Sequence, residues 1–355
     1  MSTPAPLIKA LRWQAEGCRK LGSPFSSILL DAAADGGLGP LYDLFAAWTD
    51  GDVAAHIRDA TTLRLLGALH HLVLTGAAPA LAAEYPETKP QTDPAALIAA
   101  ACAAMDDHGP TIAAFMTSPP QTNEVGRSFC LAPGFMRIAA AFGLPLRLFE
   151  IGGSAGLNLR WDGYGYVFDG QAWGDAASPV QLTNGWRGAP PQLHPVTVAE
   201  RSGCDQSPVD VSSDDTALRL QAYVWADQSE RLARLRGAIT VARAVPAPLD
   251  KADAAGWVAG HLAPKPGVCS VLFHSVMWQY MPNATQAAVR AAIEAAGAAA
   301  SRDSPVAWLR MEPAPDSEGF PMELRLTLWP PLPENGGSER VLATVHPHGA
   351  WVNWL

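Results

Sequence analysis

One short stretch of the chain carries a carboxylate followed by closely spaced small residues. Glu150 comes directly after an apolar run, and Gly152, Ser154 and Gly156 follow it at alternate positions. Small side chains let backbone approach a ligand closely, and glycine also permits positive φ angles. A carboxylate at a strand end before a glycine-rich turn is typical of nucleotide-like ligand sites in open α/β sheets. The same residues also fit a plain tight turn, so the order of the neighbouring helices and strands must distinguish a ligand site from a simple turn.

A histidine lies near the end of a strongly apolar run, residues 267–276. At the carboxyl end of a central strand, facing the crevice, His274 could act as a general base, because imidazole titrates near neutrality. It also fits a hydrogen-bonded core histidine. Trp278 and Tyr280 could offer aromatic faces to a cationic ligand, or pack in the core. The catalytic candidates are therefore His274 and Tyr280, with Trp278 as a candidate for substrate binding.

A polar segment, residues 122–128, precedes the glycine-rich turn in the chain. Thr and Asn are ordinary N-cap residues, so the segment fits the capped start of a helix. In the functional interpretation Asn123, Glu124 and Arg127 lie over the ligand crevice and bind substrate. Burying a charge without a partner is expensive, so we expect Glu124 and Arg127 to face each other or a ligand.

The elements that position these residues fall into two groups. Before residue 140, apolar residues recur at helical spacing between Gly and Pro breaks, and no strand is predicted. The predicted helices are 7–20, 26–34, 61–74, 94–105, 109–116 and 129–142. The sequence therefore predicts an all-α domain over residues 1–140.

After residue 143, predicted strands alternate with helices, which indicates an α/β domain over residues 141–355. The predicted strands are 146–151, 196–205, 244–253, 267–276 and 306–311, followed by a hairpin of 322–329 and 340–346. The predicted helices are two within 215–244, broken near Asp227, and one at 285–300. Alternating Tyr164, Tyr166 and Phe168 before an Asp-Gly turn predict a second β-hairpin, inside an insertion at about 163–193.

The spacing from Glu150 to Gly156 resembles motif I of the class I S-adenosylmethionine-dependent methyltransferases, E/D-x-G-x-G-x-G, with Ser154 in place of the middle glycine. It is less similar to the dinucleotide fingerprint G-x-G-x-x-G, because Ser154 and Leu157 stand where two of its glycines belong. The resemblance implies a Rossmann-like α/β sheet, mostly parallel with a C-terminal antiparallel hairpin, and S-adenosylmethionine as cofactor. A short helix after Gly156 departs from the family pattern.

The resemblance also implies which residues contact the cofactor. An acidic residue at the end of the second strand would bind the ribose, Asp205 with Glu200 as its rival, and Asp250 and Asp253 would lie at the adenine. The implied cofactor-binding residues are Glu150, Gly152, Gly153, Ser154, Gly156, Asn158, Asp205 and Asp250.

Four stretches of the chain resemble an uncharacterised bacterial family known only as domain of unknown function 2332. They are TNEVGRS, EIGGSAGLNLR, VWADQSERLARLR and FHSVMWQY. Membership would imply the fold and leaves the activity open.

Composition excludes several classes of protein. The chain has 355 residues, 48% hydrophobic and 17% charged, which is enough for a sizeable core. A net charge of -9 and the lack of a Lys/Arg cluster argue against nucleic acid. No apolar run is long enough to span a membrane, and the first residues do not resemble a signal peptide, so a cytoplasmic location is expected. Five dispersed cysteines and a His346-x-His348 pair without a third ligand predict neither disulfides nor a metal site.

Three function classes stay open at this point. The leading one is an S-adenosylmethionine-dependent methyltransferase that acts on a small molecule. The second is a non-catalytic module of the same fold that binds a nucleoside-type ligand or a protein partner. The third is a nicotinamide-dependent oxidoreductase, which the spacing of the glycine-rich turn disfavours.

Overall fold

Long alanine- and leucine-rich segments with polar N-caps begin the chain, and a computed structural model shows them as helices. The structure describes residues 5–36, 44–45, 51–314, 322–331 and 339–355. The first six helices are α1 Ala5–Lys20, α2 Pro24–Ala34, α3 Val53–Arg58, α4 Thr61–Leu74, α5 Pro79–Ala82 and α6 Pro94–Met116. Each of the four helices predicted before residue 106 is present, and the described residues before α7 contain no strand.

Two predicted helices are joined into one. The segments 94–105 and 109–116 form α6, which bends at His108, where φ is -123° and ψ is 19°. Pro110 explains the bend, because proline lacks an N–H and its ring disfavours straight helix just before it. At the start of α6, Asp93 caps the helix by accepting a hydrogen bond from the Ala95 amide at 3.1 Å.

The chain forms two compact units. The first comprises Met1–Thr122 and Ser213–Ala233, and the second comprises Asn123–Ser212 and Arg234–Leu355. The first unit is helical, and α8 Asp214–Ala222 joins it. Its core includes Leu11, Leu30 and Leu69, which are all fully buried. The dividing point differs from residue 140 because helix α7, Arg127–Phe142, belongs to the second unit.

The second unit is built on a nine-stranded sheet. Its strands are β1 Leu146–Ile151, β5 Gly185–Arg187, β6 Val198–Asp205, β7 Leu249–Lys251, β8 Cys269–Ser275, β9 Val306–Pro313, β10 Met322–Trp329, β11 Glu339–Val345 and β12 Trp351–Trp354. Their order is β5-β12-β11-β10-β9-β8-β1-β6-β7. The five strands from β7 to β9 are parallel, and β10 to β12 continue the sheet antiparallel to one another. The chain is thus a mixed α/β protein with an N-terminal helical region and a large, mostly parallel sheet.

Successive strands are added in opposite directions on the two sides of β1. The chain places β6 and then β7 on one side of β1, and β8 and then β9 on the other. A crevice opens at such a switch point, outside the carboxyl ends of the strands, and this is where open α/β sheets bind ligands. The strand order alone therefore points to the turn after β1 as a ligand site.

Both faces of the sheet are covered by apolar contacts. On one face Phe149, Leu272 and Trp308 pack with residues of α10 Ala254–His261 and α11 Asn283–Ala298. On the other face α7 lies close to the sheet, because a Cβ on Gly134 would come within 2.6 Å of the Leu309 side chain. Helix α9, Ser229–Ala244, follows α8 in the chain.

The insertion after β1 forms a second, three-stranded sheet. Strands β2 Gly165–Phe168 and β3 Gln171–Gly174 pair antiparallel, as the hairpin prediction requires, and β4 Gln181–Leu182 pairs parallel to β2. A 3-10 helix, Asn158–Gly163, leads into this sheet from the glycine-rich turn. In the described ranges of the chain, no helix has the length and apolar character needed to cross a membrane.

Candidate functional site

A crevice opens at the carboxyl ends of β1, β6, β7 and β8. Its volume is about 220 Å³. Its lining comes from the ends of the four strands and from the segments that follow them: Gly152, Cys204, Asp205, Gln206, Ala252, Asp253, Ala254, Met277, Tyr280 and Met281. All ten residues belong to the second compact unit. This is the position that the strand order indicates for a ligand site.

The glycine-rich turn has a regular backbone conformation that explains its spacing. Gly152, Ser154 and Gly156 all have positive φ angles, of 64°, 51° and 64°. Glycine adopts such angles without a steric penalty, whereas serine is strained by them. A Cβ on Gly152 would also lie 2.8 Å from the Met277 Cε atom. The alternate positions are therefore small because the chain turns left-handed at each of them.

Side chains from distant parts of the chain hold this turn in place. Asp205 Oδ2 accepts a hydrogen bond from the Ser154 amide at 2.9 Å, and Asn123 Oδ1 accepts one from the Leu157 amide at 2.7 Å. The buried Arg160 guanidinium donates to the Ala155 carbonyl at 3.2 Å and to the Gly156 carbonyl at 2.7 Å. Because these bonds fix both donors and acceptors, the turn is preorganised.

Two further amides of the turn are bonded within the backbone. Gly153 N donates to the Cys204 carbonyl at 3.2 Å, and Gly156 N donates to the Gly153 carbonyl at 2.6 Å. The amides of residues 153, 154, 156 and 157 are thus all engaged. A phosphate-binding loop needs several free N–H groups that point at the anion. This turn does not offer them.

The polar segment before α7 is anchored at both the turn and the sheet. Asn158 accepts from the Ser128 hydroxyl at 2.7 Å, and its amide donates to the Glu124 carbonyl at 3.4 Å. Arg127 donates to the carbonyl of Ser275, at the end of β8, at 3.1 Å. Asn123 and Glu124 are buried. These bonds, to backbone and to Asn158, bring the segment to the glycine-rich turn.

Glu150, the last acidic residue before the turn, is a buried carboxyl. Its side chain is 2% exposed, and its Oε2 atom has no hydrogen-bond partner among the described residues. Burial raises the pKa of Glu150 to about 8, and the nearby Arg160 charge opposes that rise. A Cβ on Gly153 would lie 3.3 Å from Oε2, so the carboxyl packs directly beneath the turn.

Only some of the acidic residues expected at the ribose and the adenine line the crevice. Asp205 lines the crevice, whereas Glu200 pairs with Arg147 and Lys265 near the opposite ends of the strands. Asp250 accepts a hydrogen bond from the Trp257 indole at 2.7 Å and does not line the crevice. Asp253, the other residue expected at the adenine, does line it.

Asp253 also caps the first turn of α10. Its Oδ1 atom accepts a hydrogen bond from the Ala255 amide at 2.9 Å. The cap holds this carboxylate in place at the edge of the crevice.

His274 is completely buried behind the crevice. Its Nδ1 atom lies 2.6 Å from Glu312 Oε1, and its Nε2 atom lies 3.1 Å from the Trp308 indole nitrogen. The indole N–H can only donate, so Nε2 accepts and Nδ1 carries the proton that is shared with Glu312. Neither ring nitrogen then has a free lone pair with which to take a proton from a substrate. This is the arrangement of a hydrogen-bonded core histidine.

The two aromatic candidates after β8 lie in different surroundings. Trp278 stacks on the His274 ring, with centroids 5.0 Å apart and an interplanar angle of 16°. Tyr280 is 75% exposed and lines the crevice. Of the two, Tyr280 is placed to meet a bound ligand.

Several residues that shape the crevice were not among the predicted site residues. Met277, Met281 and Gln206 line it, and Glu312 holds the loop that carries the two methionines. Met277 falls in the stretch FHSVMWQY, whereas Met281, Gln206 and Glu312 belong to no motif in the sequence. Cys204 also lines the crevice, and burial raises the pKa of its thiol to about 12, so the thiol stays protonated.

The part of the chain that the structure describes contains no group of three His, Cys, Asp or Glu residues that could hold a metal ion. Comparison with curated proteins and with solved structures finds no match for this chain. The model of a family described as "uncharacterized protein conserved in bacteria", DUF2332, matches residues 8–354. The chain therefore belongs to the DUF2332 family, as its four characteristic stretches predict.

Proposed function

We propose that this protein is an S-adenosylmethionine-dependent methyltransferase that acts on a small molecule. The observation that carries the proposal is the crevice at the carboxyl ends of β1, β6, β7 and β8, where the strand order reverses. A left-handed glycine turn forms one wall, and two carboxylates that follow neighbouring strands line it. When bound, S-adenosylmethionine supplies an electrophilic methyl group.

The residues around the crevice suit the parts of such a cofactor. Asp205 can accept hydrogen bonds from ribose hydroxyls, because each carboxylate oxygen has lone pairs beyond the one that its amide partner uses. The backbone at Ala252 and Asp253 lies where the adenine would reach. A volume of about 220 Å³ is less than the roughly 300–1,000 Å³ of typical ligand pockets, so it suits the nucleoside part alone.

Two buried polar atoms near the turn support a ligand that carries polar groups. Glu150 Oε2 and Ser154 Oγ have no hydrogen-bond partner among the described residues. Burying an unpaired polar atom costs about 1–3 kcal/mol. Glu150 lies beneath the turn and outside the crevice lining, so the turn would have to shift on binding for an ammonium group, like that of the methionine part, to reach it. We propose that the methionine part of the cofactor lies along the turn from Gly152 to Gly156.

The same features argue against a nicotinamide dinucleotide. Its pyrophosphate would need free amides at the turn, and those of residues 153, 154, 156 and 157 are engaged. The crevice lining includes Asp205 and Asp253 and has no Lys or Arg among its ten residues. Two carboxylates repel phosphate and attract the positive charge of a sulfonium.

Tyr280 is the catalytic candidate that lies at the crevice. Its ring can face the sulfonium or a cationic acceptor, an arrangement worth about 0.5–1 kcal/mol at an exposed site. Methyl transfer needs the two reactants held in line, and proximity alone can supply much of the rate. The net charge of -9 disfavours a nucleic-acid acceptor, which leaves a small molecule as the proposed substrate.

A second candidate function is a non-catalytic module that binds the same nucleoside-type ligand. The observation that favours it is the state of His274, whose two ring nitrogens are both hydrogen-bonded inside the core. The crevice itself has no histidine among its lining residues. Without a base at the site, a hydroxyl or acid acceptor would have to reach it already deprotonated.

Calorimetric titration separates these possibilities. We expect S-adenosylmethionine and S-adenosylhomocysteine to bind, and NAD⁺ and NADP⁺ to give no heat of binding. Incubation of the protein and labelled S-adenosylmethionine with a small-molecule bacterial extract should then yield a labelled product. Binding without any labelled product would favour the non-catalytic module. A heat of binding for the nicotinamide cofactors alone would overturn the proposal.

A further inference from the structure

Glu312 holds the loop that forms one wall of the crevice. It lies near the end of β9, and its side chain is 12% exposed. Its carboxylate accepts hydrogen bonds from the amides of Met277 and Trp278, with N···O distances between 3.2 and 3.3 Å. These are the first two amides after the backbone leaves Val276. The carboxylate therefore fixes the start of the segment 276–281.

That segment begins with a strained residue. Val276 has a φ angle of 53°, which is a true outlier for a β-branched side chain. Such a conformation is unfavourable and persists only when the surrounding structure holds it. The Val276 amide donates to the Met311 carbonyl at 2.8 Å, one residue before Glu312. The end of β9 thus holds the strained turn through both backbone and side chain.

His274 orients the Glu312 carboxylate. The Trp308 N–H occupies Nε2 of His274, so the imidazole presents its Nδ1–H to Glu312 at 2.6 Å. Stacking against Trp278 holds the ring from the side of the loop itself. A charge-assisted hydrogen bond in a buried site is among the stronger polar contacts in proteins. A chain of contacts therefore runs from Trp308 through His274 and Glu312 to the crevice wall.

We infer that Glu312 is a positioning residue that fixes the segment 276–281 as the wall of the crevice, and that His274 acts through Glu312. His274 is then not the base of the reaction. The wall carries Met277 against Gly152, and it carries Tyr280 and Met281 into the lining. The effect on ligand affinity rests on the proposed function, whereas the effect on the order of the loop does not.

Glu312→Gln tests the inference at the carboxylate. In one orientation the NH₂ group of Gln meets the Nδ1–H of His274, and in the other it meets the loop amides, so two donors face each other in either case and cannot pair. We expect hydrogen exchange of the Met277 and Trp278 amides to become about 10–100-fold faster, since about 1–3 kcal/mol of protection is lost. We also expect affinity for S-adenosylhomocysteine to fall about tenfold.

Glu323→Gln is the matched control. Glu323 lies directly opposite Glu312 on β10, has a similar exposure of 18%, and pairs with Arg325 rather than with the loop. We expect this variant to keep parental exchange at Met277 and Trp278 and parental ligand affinity. Equal effects in both variants would mean that the loop responds to any lost carboxylate, and the inference would fail.

Two substitutions of His274 separate positioning from base catalysis. His274→Gln can reproduce both hydrogen bonds, because an amide donates through NH₂ and accepts through oxygen, whereas His274→Leu can reproduce neither. We expect the Gln variant to keep loop exchange and affinity within about threefold of the parent, and the Leu variant to behave like Glu312→Gln.

Two results would overturn the inference. One is a Gln variant that binds normally but transfers methyl groups at least about a hundredfold more slowly, as loss of a base predicts. The other is unchanged loop exchange in both Glu312→Gln and His274→Leu. If the parental protein binds no S-adenosylhomocysteine, the proposed function fails, while the exchange of Met277 and Trp278 still decides whether Glu312 positions the loop.

Discussion

Replacing Ser154 by glycine should make the protein more stable and weaken its ligand binding. Ser154 has a φ angle of 51° in the glycine-rich turn, and its buried hydroxyl has no hydrogen-bond partner among the described residues. The left-handed conformation costs a non-glycine residue about 1–2 kcal/mol. Glycine also makes the unfolded chain more flexible, which offsets about 0.5–1 kcal/mol of the stability gained by relieving this strain. Removing an unpaired buried hydroxyl adds about 1–3 kcal/mol.

The net expectation for Ser154→Gly is a gain of about 2 kcal/mol in the free energy of unfolding. Two control variants divide this gain into its causes. Ser154→Ala removes the hydroxyl and keeps the strained Cβ, so we expect its free energy of unfolding to rise by about 1 kcal/mol. Ala60 has a similar φ of 49° and carries no hydroxyl. Ala60→Gly therefore relieves only the backbone strain, and we expect its free energy of unfolding to rise by about 0.5 kcal/mol.

Urea unfolding with unchanged m-values measures each of these changes. In the liganded protein the hydroxyl would gain a partner, so affinity for S-adenosylhomocysteine should fall about two- to tenfold in both Ser154 variants and stay constant in Ala60→Gly. A loss of stability in Ser154→Ala would show that the hydroxyl already makes a favourable bond. Unchanged affinity in both Ser154 variants would show that the hydroxyl does not meet the ligand.

Three further predictions concern the same turn. Gly152→Val should abolish detectable ligand binding, because its Cβ would start 2.8 Å from Met277 at a φ of 64°; calorimetry tests this, and parental affinity in a folded variant would place the site elsewhere. Glu150 has a folded pKa of about 8 against an ordinary 4.5, so folding retains a proton that the unfolded chain loses, and stability should fall as pH rises from about 4.5 to about 8. Glu150→Gln should flatten that part of the stability curve in urea titrations, and an unchanged slope would contradict the raised pKa. Arg160→Met should cost at least about 2 kcal/mol, because the buried carbonyls of Ala155 and Gly156 lose their donor, whereas Arg236→Met, an exposed change on α9, should cost less than about 0.5 kcal/mol. Equal losses in the two arginine variants would contradict the role of Arg160.

The spacing of apolar residues was enough to predict most of the helices and strands, because each of them must turn an apolar face towards the core. Strand β1 has the predicted bounds, 146–151, since an apolar run between Pro145 and a glycine turn has few other possibilities. The elements that were missed are short: α3, α5, α10, β4, β5 and β12. Helix α10 consists mostly of alanine and glycine, so it has little contrast between polar and apolar positions, and β12 is a four-residue strand whose Trp351 and Trp354 suit either a loop or a sheet edge.

The turn of the candidate site was predictable, but most of its surroundings were not. The spacing of Gly152, Ser154 and Gly156 is local, and it reflects three left-handed residues in one turn. The pairing of His274 with Glu312 joins residues 38 positions apart and depends on the register of β8 against β9. Composition around His274 therefore could not distinguish an exposed base from a buried hydrogen-bonded ring.

The sequence predicts both Asp250 and Asp253 at the adenine, and the structure brings Asp253 to the crevice and leaves Asp250 outside its lining, because of a second non-local detail. Strand β7 is only three residues long, so it ends at Lys251 and the chain turns into α10 immediately afterwards. Pattern alone gave a strand of up to ten residues there. The end of that strand decides which carboxylate lines the crevice, and it is set by pairing with β6.

Amide hydrogen exchange with and without saturating S-adenosylhomocysteine shows whether a nucleoside binds in the crevice. We expect slower exchange in four separate segments that meet only in the folded crevice: 151–157, 204–207, 252–256 and 276–281. A nucleoside bound there contacts the ends of β1, β6, β7 and β8 together, so all four should be protected in the parent and none in Gly152→Val. Protection confined to other segments, or absent at a ligand concentration that saturates binding, would contradict the account.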